Sequence, residues 1–275
     1  MLTREMIIHA LKEKGIEAKP VETEKNGVIF KGIALGSGQV CPTIYTEAFE
    51  DYPEEDLEDA VDAIIYRYNK AKEEMPVIDM EQIVNWDYVK TRLQLCIQRK
   101  GNEDICKRDF LDLEEYVRVN IESCNGSFKV NHAILEKLGV TESVLFHAAW
   151  DCTAPNIVVE DMVQMVSEMV GMSIEEAREM QGDNAMIVAT NKEKVFGAIA
   201  MKAKDKLAEV ADRYETDLAI LPSSIHEILL IPIKENMDLF ELEAMVREVN
   251  ATQVAPEEQL SNHVYRFYRD TREIV

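Results

Sequence analysis

The chain has 275 residues, 47% of them apolar, and carries 52 acidic against 30 basic side chains for a formal net charge of −22. That length can bury a sizeable core in one large domain or two smaller ones. A field so negative repels phosphate backbones and anionic headgroups, which argues against nucleic acid or a membrane surface as partner.

The opening MLTREMIIHALKEKG is broken by Arg4, Glu5, Lys12, Glu13 and Lys14, so no signal-peptide apolar run is expected. Nothing later reaches the roughly 20 apolar residues of a membrane span. Thr3 caps a first helix with Met6, Ile7, Ala10 and Leu11 on one face and Gly15 at its end. Lys19 to Thr23 and Val28 to Leu35 flank Asn26-Gly27, a tight-hairpin pair. Val40 to Tyr45 makes a third strand, which Pro42 assigns to an edge or a bulge.

Glu47 to Asp62 holds nine acidic residues and no basic one. It lacks the D-x-D-x-D-G spacing of a calcium loop. Instead Leu57, Ala60, Val61, Ile64, Ile65, Tyr68 and Ala71 share a helical face, with Pro53 at the start and Glu54, Glu55 and Asp56 where the helix dipole favours negative charge. Met75-Pro76 and the segment to Asp87 form the expected boundary between lobes.

Val89 to Gln98 alternates, Leu93, Leu95 and Ile97 facing one way and Arg92, Gln94, Cys96 and Gln98 the other. Glu115 to Glu122 alternates likewise, with Val117, Val119 and Ile121 opposite Tyr116, Arg118 and Asn120. These predict two strands of a half-exposed, mostly antiparallel sheet, joined by an irregular RKGNEDICKR connection. From Asn125-Gly126 the pattern turns helical. Asn131 caps a helix ended by Gly139, Thr141 caps the next, a methionine-rich helix follows from Met162, and Ser173 with Glu176 forms a capping box for another running to Gly182. The methionines read as adaptable core packing.

The last third predicts strands at Ala185 to Thr190 and Val195 to Ile199, a helix from about Met201, buried strands at Leu218 to Leu221 and Ile228 to Ile231, a helix capped by Asp238 with Glu241, and a closing strand at Val264 to Tyr268. The predicted fold class is α+β, antiparallel or mixed sheets with helices packed on them. The expected lobes are 1–80, and 81–275 with its helical middle segment.

NGVIFKG, CPTIYTEAFEDY, ATNKEKVFGA, LAILPSSIHEILLIP and EVNATQVAPEEQLSNHVYRFYRD together resemble a family of uncharacterised bacterial proteins, often found with mobile elements and defined as a domain of unknown function. The resemblance spans nearly the whole chain and is weakest from Phe110 to Gly182. A more distant similarity is to a second such family with the same terminal order of strand pair, helix and two strands. Neither implies an activity or catalytic residues; the first implies a mobile-element or host-defence setting.

Ser223, Ser224, His226 and Glu227 are the candidate nucleophile, base and carboxylate of a hydrolase. No G-x-S-x-G elbow exposes either serine, and Ser224 precedes Glu227 by the capping-box spacing, which predicts instead one capped helical turn between two buried strands. His9, His132, His147 and His263 are isolated in the sequence. His147 near Asp151 and Cys152 lies on one helix, which cannot close a metal site. Phosphate-cradling glycine motifs are absent, so no cofactor and no metal is expected. Cys41, Cys96, Cys106, Cys124 and Cys152 are odd in number with no C-x-x-C pair, the pattern of reduced cytoplasmic thiols. The functional expectation is a non-enzymatic cytoplasmic protein that binds another macromolecule, most simply a protein. A hydrolase at the Ser223–Glu227 turn and an acidic nucleic-acid mimic are the alternatives.

Overall fold

The computed structural model describes residues 1–38, 40–49, 51–74, 79–121, 126–181, 185–222 and 224–275. The chain forms two compact units, Met1–Ile78 and Asp79–Val275. Among the described residues no helix is long and apolar enough to cross a membrane.

In the smaller unit, Thr3 Oγ1 accepts the Met6 N–H and starts α1 (Arg4–Glu13). β1 (Ala18–Lys25) and β2 (Val28–Leu35) pair antiparallel with Lys25 opposite Val28. That register needs both turn residues left-handed, and Asn26 and Gly27 comply at φ 50° and 78°. β3 (Thr43–Tyr45) pairs with β2 at the sheet edge, as Pro42 predicts. α2 (Leu57–Glu74) is entered through a 3₁₀ turn at Glu54–Asp56 that follows Pro53, so the acidic residues sit at the positive end of its dipole. Ile7, Leu11, Ile33, Leu35, Val61 and Ile64 close the core between helices and sheet.

The larger unit begins with α3 (Trp86–Val89), capped by Asn85, so the strand expected from Val89 starts later, as β4 (Leu93–Arg99). The connection predicted to be irregular contains β5 (Lys107–Phe110), which turns at Leu111 into β6 (Leu113–Ile121) and is followed by β7 (Gly126–Lys129). β6 is central, with β4 on one side and β5 and β7 in succession on the other, all antiparallel. α4 (His132–Leu138) and α5 (Glu142–Thr153) start at the caps Asn131 and Thr141.

A second sheet gathers β8 (Ile157–Asp161), then, after α6 (Met162–Val170) and α7 (Ile174–Gln181), β9 (Ile187–Asn191). After α8 (Lys204–Tyr214) come β10 (Leu218–Leu221), β11 (Ile228–Pro232), α9 (Leu239–Gln253) and β12 (Tyr265–Phe267). The strand order is β12-β10-β11-β9-β8, antiparallel throughout. The fold is α+β, as the patterning predicts. Leu95, Val117 and Val119 of the first sheet share one core with Leu145 and Ala149 of α5, Leu207 and Val210 of α8, and Ile187, Ile220 and Leu230 of the second sheet. On the opposite face of the second sheet, Ala219, Leu221 and Ile231 pack against Val246 and Leu242 of α9, which explains the unbroken apolar runs of β10 and β11. Met201 is fully buried and Met186 packs against the core beneath α9, whereas Met162 and Met165 of the methionine-rich helix are half-buried and join no core cluster among the described residues. The capping box at Ser173 forms, Glu176 accepting from Ser173 N at 2.9 Å while Ser173 Oγ accepts from Glu176 N at 3.2 Å.

Three expectations need correction. Val195 to Ile199 is not a strand: Phe196 turns left-handed at φ 56° and Gly197–Lys202 coils as a 3₁₀ helix, which delays α8 to Lys204. Gly197 N donates to the His226 carbonyl oxygen at 2.9 Å, a bond to a residue far along the chain that pulls this segment off the sheet. The polar face of β4 and β6 is exposed only at its end, at Asn120: Cys96, Gln98, Glu114 and Tyr116 are buried and Gln94 and Arg118 half-buried. Ile105 and Glu103 of the preceding connection fold over it, and Gln98 bridges Lys129 (2.9 Å) to Glu114 (2.8 Å) in a buried network completed by the Lys129–Glu103 pair. Two strands, finally, stand where helices were expected: β7 pairs with β6 from Gly126, where the pattern reads as turning helical, and β8 precedes the methionine-rich helix. The expected boundary at Met75-Pro76, the turn at Asn125, the helix stop at Gly182 and the residues Glu122 and Cys124 lie outside the described residues.

Candidate functional site

Ser223 lies outside the described residues. Ser224 Oγ accepts the His226 N–H at 3.0 Å, and Ser224 N points to the Glu227 carbonyl at 3.4 Å. This is a serine turn, not the capped helical turn that the Ser224-to-Glu227 spacing predicts. The reason lies outside the segment: the His226 carbonyl, which a helical turn would use locally, accepts from Gly197 N and, at 2.7 Å, from Thr190 Oγ1. The imidazole is engaged on both sides. Nδ1 accepts the Phe196 N–H at 3.2 Å, Nε2 faces Glu258 Oε1 at 3.4 Å, and the ring lies 5.5 Å from the Phe196 ring. His226 therefore holds the Phe196 bend, with its partners contributed by Phe196 and Glu258 and not by Ser224 or Glu227.

The other side of that bend forms the wall of an open cleft of about 510 Å³, lined by Leu93, Gln94, Asn120, Ser127, Asn156 and Glu193 among others. Its lip is fixed by one carbonyl: Val195 O accepts from Gln94 Nε2 of β4 at 3.1 Å and from Asn191 Nδ2 of β9 at 2.7 Å. The Arg118 guanidinium stacks 4.3 Å from the Phe196 ring and donates to Ser127 Oγ, closing the rim. At the floor, Thr153 Oγ1 accepts the Leu95 N–H at 2.8 Å and donates to Ala149 O at 2.7 Å. The amide oxygens of Gln94 and Asn156 receive no hydrogen bond among the described residues, and Glu193 is the only carboxylate in the described lining. Such a surface offers uncharged donors and acceptors at fixed positions.

A second cluster escapes a sequence reading. Cys106, directly before β5, His132, the first residue of α4, and Glu142, the first residue of α5, bring one ligand atom each to within 4.8 Å of one another. Their separations of 26 and 10 positions match no compact ligand motif; the helix caps Asn131 and Thr141 are the one local signal placing His132 and Glu142 at helix starts. Burial, and after it the nearby Glu142 and Asp104 carboxylates, pushes the Cys106 thiol up to about 11. His147, by contrast, is exposed and faces Asp151 at 3.6 Å, while the Cys152 thiol turns away to the Lys90 carbonyl. Cys41, Cys96, Cys106 and Cys152 are all free thiols.

No curated protein and no solved structure matches the chain. Residues 3–269, which take in both units, the cleft and the cysteine cluster, match the family of unknown function DUF5688, and the chain belongs to that family.

Proposed function

We propose that the protein works in the cytoplasm by binding another protein, and that the cleft of the larger unit receives an extended peptide segment of that partner. The observation that carries this reading is the lining: apolar surface from Leu93, Val195 and Phe196 set with amides and hydroxyls and, among the described residues, a single carboxylate, in a chain whose net charge is −22. A peptide backbone presents alternating neutral donors and acceptors, and a preformed, mostly uncharged concave surface is suited to it. The free thiols support a reducing compartment. Against a hydrolase at Ser224, His226 and Glu227 stands the engagement of both imidazole nitrogens by Phe196 and Glu258. The mobile-element or host-defence setting is supported by the sequence resemblance alone.

The test is affinity capture from the native host followed by mass spectrometry, with wild-type protein beside a variant whose cleft rim is filled by Asn120→Arg. A partner captured by wild type and lost by the variant supports the reading. Capture undiminished by the variant removes the cleft from it, and a capture with no reproducible partner removes protein binding.

A further inference from the structure

We propose that Cys106, His132 and Glu142 form a binding site for a zinc-like divalent transition-metal ion, with Asp104 positioning the imidazole. The three ligand atoms lie within 4.8 Å of one another and come from three separate elements. A tetrahedral zinc ion with bonds of about 2.0–2.3 Å sets its ligand atoms about 3.3–3.8 Å apart. His132 Nε2 and Glu142 Oε1 already stand at 3.6 Å, within that range.

The backbone on either side is fixed in ways that hold this geometry. Cys106 N donates to Val130 O at 2.8 Å, tying the cysteine to the end of β7 one residue before the Asn131 cap of α4. His132 and Glu142 each occupy the first position of a capped helix, so neither backbone swings freely. His132 Nδ1 meets Asp104 Oδ1 at 3.5 Å. A carboxylate on that nitrogen selects the tautomer that leaves the lone pair on Nε2, the atom that faces Glu142, the usual outer-shell arrangement of a metal-bound histidine.

The donor set decides the class of ion. Thiolate, imidazole and carboxylate together suit zinc or cobalt(II); calcium and magnesium take oxygen ligands, and a carboxylate is a poor partner for copper(I). On binding, the sulfur–hydrogen bond of Cys106 gives way to a sulfur–metal bond and the proton leaves to solvent. Three protein ligands leave the fourth position to water or to a donor from a partner. His132 and Glu142 are 62% and 40% exposed at their side chains, so that position opens outward.

Anaerobic titration of the metal-free full-length chain with cobalt(II) reads the site directly. The expected result is one equivalent bound, with a near-ultraviolet thiolate charge-transfer band and the visible bands of a tetrahedral centre, displaced by zinc. Asp104→Asn should weaken binding about tenfold or more, and His132→Ala and Glu142→Gln should abolish the stoichiometric phase, while Cys41→Ala and Cys152→Ala leave it unchanged. Cys106→Ser should remove the charge-transfer band; because Cys106 is fully buried, the exposed His132→Ala variant decides the matter if the serine chain fails to fold. Absence of the band in wild type, or a band with unchanged affinity in His132→Ala, overturns the proposal.

Discussion

Replacing Gly197 by alanine should cost the larger unit about 3–5 kcal/mol. A Cβ there would stand 2.7 Å from the His226 carbonyl oxygen and 2.6 Å from Asn191 N, and closer still to Thr190 Oγ1. Two of these three atoms are backbone, one in β9 and one in the turn before β11, so no side-chain rotation relieves the overlap. Overpacking a tight interior position costs about 1–3 kcal/mol. The displacement also strains two hydrogen bonds to the His226 oxygen, from Gly197 N (2.9 Å) and Thr190 Oγ1 (2.7 Å), each contributing about 1 kcal/mol. Urea unfolding followed by tryptophan fluorescence isolates the effect, because Trp86 and Trp150 both belong to the larger unit. With a denaturant slope of about 2 kcal/mol/M, the midpoint should fall by about 2 M. A fall below about 0.5 M would refute the claim that the Phe196–Gly197 bend is wedged rigidly between β9 and the His226 segment.

Lys202→Met should destabilise by about 3–5 kcal/mol, because it strands the buried Glu115 carboxylate that Lys202 pairs with, and adding Glu115→Gln should recover most of the loss in urea denaturation. In brief alkylation at pH 8 analysed by peptide mass spectrometry, Cys41 should label well before Cys96, which should label only on unfolding, since burial pushes the Cys96 thiol up to about 12 and leaves it fully covered; equal labelling rates of the two would refute this. Burial alone would raise the Asp217 pKa, but the Arg269 N–H and the Arg266 guanidinium outweigh it and hold the carboxyl below its ordinary 3.8. A depressed folded-state pKa gives stability that is fully present above the ordinary, unfolded-state value and is lost as pH falls from there through the folded-state value. The stability gap between wild type and Asp217→Asn should therefore narrow as pH drops from 5 towards about 2, and a gap independent of pH would count against the assignment.

Local signals were legible in the sequence wherever the determinant sat within a few residues. Asn26-Gly27 set a hairpin register, and Thr3, Asn131, Thr141, Ser173 and Asp238 each marked a helix start, because a cap or a left-handed turn is decided by its own side chain. Non-local decisions were not legible. Val195 to Ile199 has the apolar content of a strand, yet a carbonyl some thirty residues ahead takes the Gly197 N–H and bends the chain. The polar alternation of Cys96, Gln98 and Tyr116 spells a solvent face, and nothing in those residues announces that Ile105 and Glu103 will cover it. At the candidate sites, Ser224, His226 and Glu227 were visible as a cluster, but their partners Phe196, Thr190 and Glu258 were not. Cys106, His132 and Glu142 converge only through the tertiary fold.

The Val195 carbonyl, shared by an amide of β4 and an amide of β9, gives the cleft an unusual mechanical position. Its wall is also the seam between two sheets, so the wall cannot loosen by itself as a surface loop would. A ligand seated there would therefore slow hydrogen exchange in β4 and β9 together, spreading its stabilisation across both sheets, and a mutation deep in either sheet would change affinity without touching the ligand.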